Sequence, residues 1–377
     1  MYKIFGECSL SDIWGERIVY RNLVPQDVRL LSFQRLRGGL PLRSALLPRK
    51  TDLDYAVVVT ELLRRARQLD LPGGQLQQLV FIGDTRLLDG SAFHNLCLAG
   101  GWPGWAFIGR DDRTAPKSAQ IEERLYLANR WSLLPEFLEF VSGEGFGLDE
   151  GTAVVIDMDK TAVGARGRND AVIDEARLEG VRNTVAGLLG ADFDEVAFRA
   201  AYGELNRPAY HAFTADNQDY LAYICLMLGA GLYDYPALVQ EVQSSSLRSF
   251  DEFIRRVQQH RFELPSPGLR AIHDQVWDNF RAGDPTPFKA FRYNEYLVTA
   301  ARFGGRLDEP VESAIASRAV VTQEVKQAAE WLLSRGALIF GLSDKPDEAS
   351  LPTPEQAGRG MQPLHRLQTL CVGEQGE

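Results

Sequence analysis

The stretch VVIDMDKTAVGARGR, residues 154–168, decides how this chain is read. Four apolar residues, 153–156, run straight into Asp157, and Asp159, Lys160 and Thr161 follow closely. An apolar run that ends on a carboxylate reads as a buried parallel strand. Its carboxyl end opens into the crevice where open α/β sheets bind ligands. Asp157 and Asp159 point the same way if the backbone stays extended. Carboxylates that close repel unless a cation lies between them or one holds a proton. The stretch therefore predicts either a magnesium site or a nucleophile paired with an acid/base.

The chain around it has 377 residues, 45% hydrophobic and 24% charged, which is a globular balance with length for two domains. A formal net charge of −10 argues against a nucleic-acid or anionic-membrane partner and still permits a local basic pocket. Cys8, Cys97, Cys225 and Cys371 form no CxxC pair and read as reduced, packed thiols, so a cytoplasmic protein is expected. The first residues show no basic start followed by an apolar core, so no secretory leader is expected. No run approaches the roughly 18 apolar residues of a membrane helix. The histidines show no HxH or HExxH spacing, which excludes the common zinc-hydrolase pattern.

Upstream, residues 1–45 read as a β-rich lead-in, with β-like runs at 17–24 and 28–36. Residues 52–70 have helical spacing (Tyr55, Val58, Val59, Leu62, Leu63), and Lys50 lies just before them. An apolar strand at 79–82 then runs into Gly83 and Asp84, with Asp89 five residues on, followed by a helical stretch and a second strand at 105–109. Residues 121–143 read as one or two helices. Downstream of Asp159, residues 161–324 carry helix-period apolar residues almost throughout, broken by Gly, Pro and Asp. The apolar run 337–342 predicts another strand, with Ser343 at its end, and residues 364–373 predict one more.

DMDKT (157–161) resembles the first motif of the haloacid-dehalogenase-like (HAD) superfamily, DxDx[TV] after a hydrophobic strand. GDTRLLD (83–89) resembles the family's fourth motif, the strand ending in Ser343 its second, and Lys50 its third-motif lysine. The motif order is rotated, which predicts a circularly permuted core that ends on the family's third strand. The resemblance implies an α/β fold: a three-layer, Rossmann-like parallel sheet with a large helical cap inserted after the first catalytic strand. The core would span 46–160 and 325–377, and the cap 161–324.

The resemblance implies a Mg2+-dependent phosphohydrolase acting on a small phosphorylated metabolite. Asp157 would be the nucleophile, and Asp159 the acid/base two residues on. Ser343 and Lys50 would hold the phosphoryl oxygens. Asp157, Asp84, Asp89 and Asp159, the last through its carbonyl, would hold the metal. Thr161, Arg168 and Lys345 are further expected contacts to phosphate or substrate, with Lys345 an alternative to Lys50. A phosphotransferase or mutase, and a HAD-fold binding protein without catalysis, remain as alternatives.

Overall fold

The computed structural model describes residues 1–375. Its ten strands are β1 (Tyr2–Cys8), β2 (Ile18–Val19), β3 (Gln78–Gly83), β4 (Gly104–Gly109), β5 (Ala119–Glu122), β6 (Leu125–Ala128), β7 (Thr152–Asp157), β8 (Val321–Thr322), β9 (Leu338–Leu342) and β10 (Thr369–Glu374). Seven of them form one sheet in the order β2-β9-β7-β3-β4-β6-β5, parallel throughout except for β5 against β6. The fold is α/β with a mostly parallel sheet, as the apolar runs predict. β3, β4, β7 and β9 read as continuous hydrophobic segments because both faces are covered.

Alternation along the strands divides those two faces. Leu79, Phe81, Ala153, Val155, Leu338 and Phe340 join one apolar core with Tyr55, Val58, Val59, Leu62 and Leu63 of the helix Leu53–Asp70. On β4, Phe107 meets Trp131 and Phe137, the latter on the helix Leu134–Gly143.

Three elements differ from the sequence expectation. The C-terminal strand β10 does not enter the large sheet. It pairs antiparallel with β1 and parallel with β8 in a separate three-stranded sheet. The edge position beside β9 is filled instead by β2, from the start of the chain. Part of the segment expected to be helical, 121–143, is the β5–β6 hairpin. Its two-residue turn, Glu123 and Arg124, has φ of 47° and 67°. Such a turn ordinarily carries Gly or Asn, so its sequence signal was missing. The run 28–36 holds the short helix Phe33–Leu36 rather than a strand.

The chain divides into two compact units, 1–175 with 299–377, and 176–298. Residues 161–175 and 299–324 thus belong with the sheet. The second unit is helical and has its own core, in which Tyr220 stacks on Phe250 at 3.8 Å between ring centroids. Its buried Arg292 is paired with Asp219 and Glu295. No helix is long and apolar enough to cross a membrane among the described residues.

Candidate active site

Parallel strands in register bring their carboxyl ends to one edge. β7 and β3 align so that Ile156 faces Ile82, which puts Asp157 beside the Gly83–Asp84 turn. β9 aligns Leu342 with Asp157, which puts Ser343 on the other flank. Oxygens of Asp84, Asp89 and Asp157 lie within 4.8 Å of one another. Residues far apart in sequence therefore meet because three strands end together.

Lys50 enters this cluster from the chain just before the helix Leu53–Asp70. Its Nζ donates to Asp157 Oδ1 at 2.5 Å and to Asp89 Oδ1 at 2.6 Å, and the ammonium is almost wholly buried. Asp89 Oδ2 accepts from Asp84 N (3.0 Å), Thr85 N (2.8 Å) and Thr85 Oγ1 (2.9 Å), which fixes the turn that carries Asp84. Gly83 is required here: a Cβ would stand 2.7 Å from the Asp89 side chain. Arg166 Nε donates to Asp84 Oδ2 at 2.5 Å. On the other flank, Ser343 Oγ donates to Asp159 Oδ2 at 2.9 Å and accepts from Lys345 N at 3.0 Å.

The charges do not balance. Three carboxylates face two cations, Lys50 and Arg166, in a buried setting. Burial would lower the Lys50 pKa, but Asp157 and Asp89 outweigh it and hold the ammonium well above its usual range. Burial also tends to raise Asp89, yet Lys50 and the donors at Thr85 and Asp84 hold it low. The excess falls on the other two. Burial, opposed by Lys50 and reinforced by Asp89 and Asp84, lifts Asp157 well above the carboxylate range. Burial and then Asp89, opposed by Arg166, push Asp84 up to about 7.

An all-oxygen donor set with an uncompensated negative charge fits a hard divalent cation, which takes few carboxylates and keeps several waters. Among the described residues the buried Tyr55 hydroxyl lacks a hydrogen-bond partner, and the charged groups acting on it are Lys50, Asp344, Asp157 and Asp89. An unpaired buried hydroxyl beside such a cluster also fits a site that holds further polar atoms when loaded.

A pH effect follows. Asp84 at about 7 stands above the ordinary unfolded carboxylate value, so the folded state holds the extra proton. The stability this contributes is complete below the unfolded pKa and is lost as pH rises through the folded value. Without divalent cation, the protein is expected to lose about 1 kcal/mol between about pH 6 and about pH 8, read as a lower urea midpoint at the higher pH. Magnesium should remove most of that difference. Equal midpoints at both pH values would contradict the charge imbalance.

The site unites Asp157, Asp84, Asp89 and Lys50, with Ser343 and Lys345 N after the adjacent strand β9 and Asp159 just past β7 bonded to Ser343. Lys345 is buried, and its carbonyl accepts from Arg21 N at 3.1 Å. The Asp159 carboxylate is bonded to Ser343 and lies outside the three-carboxylate group. Thr161 is buried, and its hydroxyl is unpaired among the described residues.

Arg168, expected as a substrate contact, is enclosed by protein groups. Its guanidinium is enclosed, donating to Asp111 at 2.8 Å, to both oxygens of Glu324 at 2.9 Å and to the Val372 carbonyl, and it lies over the Tyr2 ring. These partners answer four of the five N–H groups, and the side chain is wholly enclosed among them. Arg166, two residues earlier, instead reaches the acid cluster. Residues two apart share one side of an extended chain, so periodicity would have kept the two arginines together; residues 166–169 instead form a turn, with Gly167 at φ 77°, and nothing in the sequence said which arginine goes inward.

A cavity of about 590 Å³, lined among others by Trp14, Arg17, Asp27 and Leu338, lies at the opposite end of β9 from Ser343 and holds none of these groups. Comparison of the chain with protein-family models, with curated proteins and with solved structures finds no match.

Proposed function

We propose that the protein is a magnesium-dependent phosphohydrolase that acts on a small phosphorylated metabolite through an aspartyl-phosphate on Asp157. The observation that carries this reading is the meeting of Asp157, Asp84 and Asp89 within 4.8 Å, with the Lys50 ammonium bonded to two of them and Ser343 on the neighbouring strand end. The strand order supports it. β4-β3-β7-β9-β2 follows the fifth-fourth-first-second-third order of the HAD sheet, if the permuted chain begins with the third strand, β2, rather than ending on it. The helical unit 176–298 is inserted between the strands bearing Asp157 and Ser343, where that family places a cap.

In this mechanism a carboxylate oxygen of Asp157 attacks phosphorus and the ester P–O bond breaks. Asp159 gives its proton to the leaving oxygen, then takes one from the water that attacks the aspartyl-phosphate. Phosphate leaves and Asp157 is regenerated. Lys50 and the Ser343 hydroxyl hold phosphoryl oxygens, Lys50 as a point charge. Asp157 and Asp84 would hold Mg2+, which when bound neutralises charge between nucleophile and phosphate.

The test is phosphate release from p-nitrophenyl phosphate and a panel of metabolite esters, with magnesium and with a chelator. Turnover that requires magnesium is expected. No turnover of any ester by well-folded protein would favour a binding protein instead.

A further inference from the structure

Between Asp27 and Asp52 the chain has no acidic residue and six basic ones: Arg29, Arg35, Arg37, Arg43, Arg49 and Lys50. This block stands in a chain of net charge −10. Arg29 is paired with Asp27, and Lys50 with Asp89 and Asp157. Among the described residues, no carboxylate pairs with Arg35, Arg37, Arg43 or Arg49, and all four are exposed. Exposed arginines elsewhere commonly answer a neighbouring acid, as Arg255 does Asp251, Arg306 does Asp308 and Arg359 does Glu355.

The segment is held in place rather than loose. Leu36 is part of the core beneath the sheet, and Leu40, Leu42 and Leu47 pack against it. Asp54, in the first turn of the helix Leu53–Asp70, accepts from Arg43 N at 2.9 Å and Ser44 N at 3.0 Å. The Arg37 side chain donates to the Ala45 carbonyl at 3.3 Å. Arg49 immediately precedes Lys50, so the anchored basic segment ends inside the acid cluster. Like charges gathered on a fixed backbone repel one another, and an anion relieves that cost.

We infer that residues 35–49 bind a second phosphate of the substrate, so that the substrate class is a small phosphate ester carrying at least one further phosphate group. The inference rests on the phosphohydrolase reading for the word substrate, but not for the anion site itself. A nucleic acid is disfavoured as the occupant. Its affinity comes from many phosphate contacts along a basic surface, whereas this patch is short and the whole chain repels an extended polyanion.

The test is calorimetric titration of the full chain with inorganic tripolyphosphate and with orthophosphate, at low salt and without divalent cation. It is run on Asp157→Asn so that turnover plays no part. Tripolyphosphate is expected to bind at least about tenfold tighter than orthophosphate. R43Q/R49Q should lose about tenfold of the tripolyphosphate affinity, R43K/R49K should keep most of it because charge is retained, and the distant R306Q should change nothing. Arg43, Arg49 and Arg306 are all exposed, and circular dichroism checks that each variant folds.

Equal affinity for the two anions, or an R43Q/R49Q variant that binds tripolyphosphate as the parent does, overturns the inference. Tighter binding of a single-stranded oligonucleotide through the same arginines overturns the small-substrate assignment. Arginine-dependent tripolyphosphate binding in a protein that hydrolyses no ester would leave the anion site standing and remove the phosphohydrolase.

Discussion

Asp157→Asn is expected to reduce phosphate release by about 10⁴-fold or more, the scale seen when a nucleophile is removed. The substitution keeps the shape of the side chain and replaces one anionic oxygen by an amide, which cannot form the acyl phosphate. The fold should persist. Lys50 keeps its bond to Asp89 at 2.6 Å, and the substitution removes one of the three carboxylates whose charge burial penalises. Two readouts separate a chemical role from a structural one. Circular dichroism should match wild type. Acid-quenched wild type should yield a phosphorylated peptide containing Asp157, whereas the variant should yield none. Turnover within tenfold of wild type in the variant would remove Asp157 as nucleophile.

Arg168→Leu is expected to have the largest effect on stability, a loss of about 3–5 kcal/mol. The Arg168 side chain is wholly enclosed, and its loss leaves Asp111 and Glu324 as buried carboxylates without their main cation. It also ties three parts of the chain together. Asp111 follows β4, Glu324 begins the helix Gln323–Ser334, and the Val372 carbonyl belongs to β10. The variant should therefore unfold at much lower urea. Whatever fraction stays folded should show an unchanged KM for the aryl phosphate, because the Arg168 side chain is enclosed among Asp111, Glu324 and Val372. A raised KM with unchanged stability would restore the substrate role that its sequence position suggested.

These two residues mark how far the sequence could be read. Asp157 was legible because a buried strand advertises itself as an unbroken apolar run, and a carboxylate at its end has few structural reasons to be there. The same holds for Asp84 after β3 and Ser343 after β9. Arg168 was not legible. It follows Arg166 and Gly167 directly, beyond the strand end at Asp157, and its partners come from residues 111 and 324. No local rule distinguishes an arginine enclosed by remote acids from one aimed at a ligand.

The edge strand failed for a related reason. Only two residues of β2 pair with β9, too few for a period to register, while β10 has six residues and reads strongly as a strand. Hydrophobic pattern tells that a strand exists but not which neighbour it joins. The β5–β6 hairpin was missed because Ile121 and Leu125 fit either period and the turn lacks its usual residues.

The sequence by itself determined the α/β class, the strand ends that carry Asp157, Asp84 and Ser343, and the helical stretch between β7 and β9, since these follow from local periodicity and from which residues end an apolar run. Only the tertiary structure decided that Lys50 joins Asp89 to Asp157, that Arg166 rather than Arg168 meets the acid cluster, and that β2 rather than β10 closes the sheet beside β9. Each of those depends on which distant groups share a buried space, where desolvation makes an unpaired charge or backbone group costly and so selects its partner.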